Sequence, residues 1–93
     1  MKITVRFYGV AYDNTGVREW NLRLPSRATL SELLSQIVEK NPSMTGLVYD
    51  GDGSIRDYLA ISVNNVDIQG LNGFDTLLKD GDLVFIMPPI GGG

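Results

Sequence analysis

The chain has 93 residues, 43% of them hydrophobic and 20% charged, which is the size and balance of one compact domain rather than of a disordered, collagenous or coiled-coil chain. It contains no Cys and no His, which excludes disulfides, thiolate metal sites, cysteine nucleophiles and histidine acid/base chemistry. Lys and Arg number 8 against 11 Asp and Glu, a net charge of -3, so neither nucleic acid nor a polybasic membrane contact is expected.

From Lys2 to Tyr8 the residues alternate, with Ile3, Val5 and Phe7 on one face and Lys2, Thr4, Arg6 and Tyr8 on the other. That is the period of a strand covered on one side only. Lys2 and Arg6 also interrupt what would be the apolar stretch of a signal peptide, and no run reaches membrane-spanning length, so the expected location is cytoplasmic. Asp13-Asn14-Thr15-Gly16 supplies turn chemistry, after which Trp20, Leu22 and Leu24 alternate with Glu19, Asn21 and Arg23. An antiparallel hairpin follows, with Trp20 and Leu22 in the core and Pro25 ending the second strand.

Thr29-Leu30-Ser31-Glu32 matches a capping box, in which Thr29 and Glu32 each satisfy one unpaired backbone donor at a helix start. Leu30, Leu33, Leu34, Ile37 and Val38 then fall at helical spacing and form one apolar stripe. Asn41-Pro42 stops that helix, because proline disfavours helical geometry in the residue before it.

Between Pro42 and Asp57 the pattern gives way to a polar, Gly-rich loop with a turn of helix around Met44 to Val48. Asp50, Asp52 and Ser54 alternate like the first ligands of a calcium loop. If Gly53 is the glycine of that motif, however, Val48 and Leu59 stand at its first and last ligand positions, so no metal site is expected. Gly9 and Gly16 make no phosphate loop, since no Lys-Ser or Lys-Thr follows them into the helix.

Leu59, Ile61 and Val63 alternate with Ala60, Ser62 and Asn64 as a third strand, and Asn64-Asn65 turns the chain into a short extended piece near Val66 to Ile68. Asp75 to Asp82 is expected to hold a short helical turn closed by Gly81, with Asp80 and Asp82 as turn formers rather than a catalytic pair. Leu83 to Met87 is the last strand, ended by Pro88-Pro89.

Strand, strand, helix, strand, short strand, strand, with one amphipathic helix, predicts an α+β domain whose helix crosses one face of a mixed sheet. The first strand and the strand after the helix are expected to lie parallel and adjacent, the layout of a β-grasp. One domain is expected over residues 1–93, ending in a flexible glycine tail from about residue 88.

Two features call for more than a packing role. In the last strand Val84 and Ile86 share one face, leaving Leu83, Phe85 and Met87 on the other, with Tyr8 and Ala60 beside them. Such a face is either a partner surface or the seat of the loop that follows Pro42. The second feature is Pro88-Pro89-Ile90-Gly91-Gly92-Gly93. The prolines set an extended stem, and glycines without Cβ atoms can thread a channel too narrow for any side chain, presenting the terminal carboxylate.

With its first strand, the Thr29 to Lys40 helix, Val63-Asn64-Asn65, Leu78-Lys79-Asp80-Gly81-Asp82 and a Pro-Pro stem before a terminal diglycine, the chain resembles the ubiquitin-like β-grasp sulfur carriers. That group includes the small subunit of molybdopterin synthase and the thiamine-pathway sulfur carrier, and the Pro-Pro stem and the length favour the molybdopterin branch. The resemblance implies that an E1-like enzyme adenylates the Gly93 carboxylate with ATP, that a sulfurtransferase supplies persulfide sulfur to make a thiocarboxylate, and that the carrier binds no cofactor itself. It further implies that Gly92 and Gly93 form the reacting end. Tyr8, Phe85, Met87, Pro88, Pro89, Ile90 and Gly91 would contact partners, among them the large subunit of a molybdopterin synthase. Gly91 before the diglycine and Asp67, where an apolar contact residue is expected, depart from the pattern. A ubiquitin-like modifier joined through Gly93 to lysines, and a plain binding module, are the alternatives.

Overall fold

The computed structural model describes residues 1–8, 18–56 and 59–87. Strands β1 (Lys2–Phe7) and β2 (Glu19–Arg23) pair antiparallel, as expected, in a register that sets Ile3 opposite Leu22 and Val5 opposite Trp20. The turn expected at Asp13 to Gly16 lies outside the described residues. Helix α1 (Leu30–Lys40) starts where the capping residue places it: Glu32 N donates to the Thr29 hydroxyl at 3.3 Å, closing one of the orphan donors of the first turn.

The chain then makes a 3₁₀ turn, Pro42–Met44, and a single turn of helix, α2 (Thr45–Val48). Strand β3 (Ala60–Val63) folds back through Asn64 and Asn65, both at positive φ, into the two-residue β4 (Val66–Asp67). Two consecutive left-handed residues are what a tight hairpin turn requires, and Asn tolerates that region better than most side chains. A 3₁₀ turn (Ile68–Gly70), a second (Gly73–Asp75) and β5 (Leu83–Met87) complete the order.

The five strands form one mixed sheet in the order β2-β1-β5-β3-β4. The expected β-grasp layout is therefore present, with a correction to its interior: the parallel neighbour of β1 is the last strand, β5, and β3 lies beyond it, antiparallel to β5. The physical reason is burial. β5 is apolar on both faces, and Val84 and Ile86 are wholly buried, which suits the centre of a sheet, whereas β3 alternates with the exposed Ala60 and suits a position further out. The helical turn expected over Asp75 to Asp82 is also corrected. Helical backbone stops at Asp75, and Leu77 instead bridges Thr29 in an antiparallel pair, so this segment ties down the start of α1.

The core lies between α1 and the sheet. Ile3, Val5, Phe7, Leu22, Ile61, Val84 and Ile86 meet Leu30, Leu33, Leu34 and Ile37, all buried. Each such side chain removes enough apolar surface to favour folding by about 1.5–3 kcal/mol over an exposed one. Trp20 is half-buried and packs edge-on against Phe7 at 5.2 Å, so it rims the core that it was expected to fill. Met44 and Val48 are fully buried, and their short helices pack against α1. Among the described residues, the loop after Pro42 thus lies on the helix side of the molecule and not over the opposite face of the sheet.

Candidate functional site

Because side chains alternate along a strand, burying Val84 and Ile86 under α1 sends Leu83, Phe85 and Met87 to the other face. Register supplies their neighbours: Arg6 lies beside Phe85 on one side and Ser62 on the other, while Ala60 lies beside Met87. Tyr8, just past β1, is held by its backbone N–H on the Ile86 carbonyl at 3.1 Å. Its ring meets Phe85 edge to face, with centroids 5.6 Å apart and planes at 82°, a favoured aromatic geometry.

Tyr8 and Met87 remain 38% and 39% exposed, and Phe85 is half-buried between them and the Arg6 row. The structure therefore brings together the three described residues that the sequence picked out for partner contact. Pro88, Pro89, Ile90, Gly91, Gly92 and Gly93 lie outside the described residues.

The rim of this face is polar and ordered by short contacts. Arg6 Nε donates to Glu19 Oε1 at 2.7 Å, and Thr4 Oγ1 donates to Asn21 Oδ1 at 2.9 Å. The Arg6 pKa is raised above its ordinary value, first by the hydrogen bond and charge of Glu19 and then by the Tyr8 side chain. The sequence does not single out Arg6 as a contact residue, although its phase, two residues before Tyr8, places it on the same face. Ser62 could be found only once β3 was known to pair with β5.

Asp67 sits at the far edge of the same face, paired with Ser62 across β3 and β4. It lines a cleft of about 130 Å³ with Ala60, Ile61, Ser62, Phe85 and Met87. A second apolar group, Val66, Leu71 and Leu77, is exposed elsewhere, around a cleft of about 230 Å³ that also touches Val63 and Lys79. Nothing in the local pattern marks this group, since a helical turn over Asp75 to Asp82 turns Leu77 elsewhere.

The turn leading into β5 is built by its carboxylates. Asp82, 8% exposed, accepts from Asn64 Nδ2 and from the Lys79 N–H, both at 2.8 Å. Asp80 accepts from the Lys2 N–H at 2.7 Å. Asn64 in turn accepts from the Leu83 N–H at 3.0 Å, so the β3–β4 turn and the start of β5 are joined by one small network. In the Asp50 to Ser54 loop, Asp50 Oδ1 accepts from the N–H groups of Asp52 and Ser54, so that carboxylate closes its own turn. Among the described residues no group of three or more acidic side chains gathers in a way that could hold a metal, and no helix is long and apolar enough to cross a membrane.

Comparison with known proteins places this geometry. The model of the ThiS family matches residues 5–93. Small archaeal modifier protein 3 of Haloferax volcanii is 26% identical over 93 residues, covering 100% of both chains. The molybdopterin synthase sulfur carrier subunit of Chlamydomonas reinhardtii is 28% identical, again over 100% of both. The solution structure of small archaeal modifier protein 1 from Methanosarcina acetivorans superposes with a TM-score of 0.87 at 26% identity, covering 99% of this chain and 96% of that one.

Proposed function

The chain belongs to the ThiS family, and from that premise we propose that it is a cytoplasmic sulfur carrier whose reacting group is the carboxylate of Gly93. The observation that carries the proposal is the open face of Tyr8, Phe85 and Met87, which stands at the point where β5 runs into Pro88-Pro89-Ile90-Gly91-Gly92-Gly93. An apolar platform holds a partner enzyme, and the tail that follows Met87 in the sequence delivers its end to that enzyme's active site. Pro88, Pro89, Ile90 and Gly91 line the route, and Gly92 and Gly93 enter where no Cβ fits.

The chemistry balances with an E1-like adenylating enzyme and a sulfurtransferase as partners. The Gly93 carboxylate attacks the α-phosphorus of ATP, releasing pyrophosphate and leaving an acyl-adenylate. The terminal sulfur of a persulfide attacks the acyl carbon and expels AMP, giving an acyl disulfide. A second thiol then cleaves the S–S bond, leaving a thiocarboxylate on Gly93 and a disulfide on the donor. A chain with no Cys cannot carry the sulfur on a thiol side chain, which fits a carrier that works through its terminus. The name of the Chlamydomonas relative supports sulfur delivery to the large subunit of a molybdopterin synthase as the outlet.

Intact-mass measurement after incubation with ATP, a cognate adenylating enzyme and a persulfide donor tests the proposal. One oxygen should be exchanged for sulfur, and no exchange with an enzyme shown to adenylate the chain would refute it. A modifier role is a second reading, supported by the name of the Haloferax relative. In that case a lysine amine displaces AMP to form an isopeptide with Gly93. Lys79 is the last basic residue, so tryptic digestion of conjugates should leave the whole segment from Asp80 to Gly93 branched on target lysines.

A further inference from the structure

Register arranges a single row across the open face: Glu19, Arg6, Phe85, Ser62 and Asp67, one residue from each strand. The two ends of that row differ. Glu19 is neutralised by Arg6 at 2.7 Å, whereas Asp67 is exposed, and among the described residues its side chain has only the Gln69 N–H as a polar partner, at 2.8 Å on Oδ1. Among the described residues, no cation lines the cleft of about 130 Å³ that Asp67 shares with Phe85 and Met87. This volume is far below that of a small-molecule site and matches the scale of one inserted side chain.

A partner that covers Tyr8, Phe85 and Met87 strips water from Asp67 as well, and a carboxylate buried without a counter-charge opposes binding strongly. Resting on the docking face proposed above, we infer that the partner surface is apolar with one projecting Arg or Lys, whose aliphatic stem lies on Phe85 and Met87 and whose charged head pairs with Asp67. Long cationic side chains suit such a corner because the stem packs while the head reaches the acid, and a cation beside an aromatic ring gains further attraction.

A second copy of this chain fits poorly. β2 and β4 lie equally far from β5, so a two-fold axis along β5 seats Asp67 of one copy over Glu19 of the other. An axis along the row seats Asp67 over Asp67. The second arrangement opposes acid to acid, and the first offers Asp67 only a carboxylate whose cation, Arg6, is already engaged.

The test uses the full chain and three probes, the blocked tripeptides acetyl-Leu-Arg-Leu-amide, acetyl-Leu-Gln-Leu-amide and acetyl-Leu-Glu-Leu-amide, titrated to about 10 mM against backbone and methyl NMR signals, a range that detects millimolar binding. Asp67→Asn is the informative variant, since an amide oxygen can still accept from Gln69 N–H while the charge is gone. The Arg peptide should shift Ala60, Ser62, Asp67 and Met87, and its affinity should fall about three- to ten-fold on Asp67→Asn. The Gln and Glu peptides should be weaker still on the natural chain.

Equal affinity for all three peptides would mean an apolar face only and would overturn the inference. So would shifts confined to Val66, Leu71 and Leu77, or no shift at all. The titration involves neither ATP nor Gly93. A failed sulfur exchange with a successful titration therefore removes the carrier role and keeps the cation corner, and the reverse result does the opposite.

Discussion

The Asp82 carboxylate takes hydrogen bonds from Asn64 Nδ2 and the Lys79 N–H, while Asp80, two residues before it, lies in water with one bond to Lys2. Removing Asp82 strands two donors in a largely dry place. Asp82→Ala is therefore expected to lower stability by about 1–3 kcal/mol, and Asp80→Ala by clearly less, a difference that urea unfolding of the two variants measures. Between them Gly81 holds φ at +88°, with open space where a Cβ would stand. Gly81→Ala should cost about 1 kcal/mol, from backbone strain rather than a clash. The Asp-Gly-Asp run announced a turn, yet which acid is buried depends on Asn64, 18 positions earlier than Asp82. No local pattern carries that.

α1 shows the opposite balance. Its start, its apolar stripe and its stop at Asn41-Pro42 are consecutive features of one segment, and the structure reproduces them, with Leu30, Leu33, Leu34 and Ile37 all buried. Thr29→Ala should cost about 1 kcal/mol by freeing the Glu32 N–H. Leu33→Ala should cost about 2–5 kcal/mol, because a fully buried leucine leaves a cavity that its neighbours close only in part. Thermal denaturation should rank the two in that order. For the strands, alternation marks the faces and the turn signals mark the β1–β2 partnership, but the neighbours of β5 are not legible. The alternation of β5 makes it legible that Phe85 and Met87 point away from α1, while its position between β1 and β3 depends on pairings across most of the chain.

At the scale of the whole molecule, Met44 and Val48 draw the loop after Pro42 to the helix side, so that among the described residues the face away from α1 stays open. Met87, 39% exposed, can change without disturbing the core, so Met87→Glu should keep the melting temperature within a few degrees. The same variant should lower kcat/KM for adenylation at least about ten-fold, by placing a charge in an apolar contact. Deleting Gly92 and Gly93 should leave unfolding unchanged and abolish sulfur transfer. An enzyme that adenylates Met87→Glu as well as the natural chain would argue against this face as its contact surface.

The amino-acid sequence by itself determined the α+β class, the capped helix, the inward and outward faces of the four longer strands and the absence of thiol or imidazole chemistry. These follow from periodicity and composition, which are local or additive. Only the tertiary structure decided that β5 lies beside β1, that Arg6, Phe85, Ser62 and Asp67 form one row, and that Asp82 is buried while Asp80 is not. Those outcomes depend on which distant backbone groups satisfy one another across the sheet, a choice made by the whole chain as it closes its hydrogen bonds around a single core.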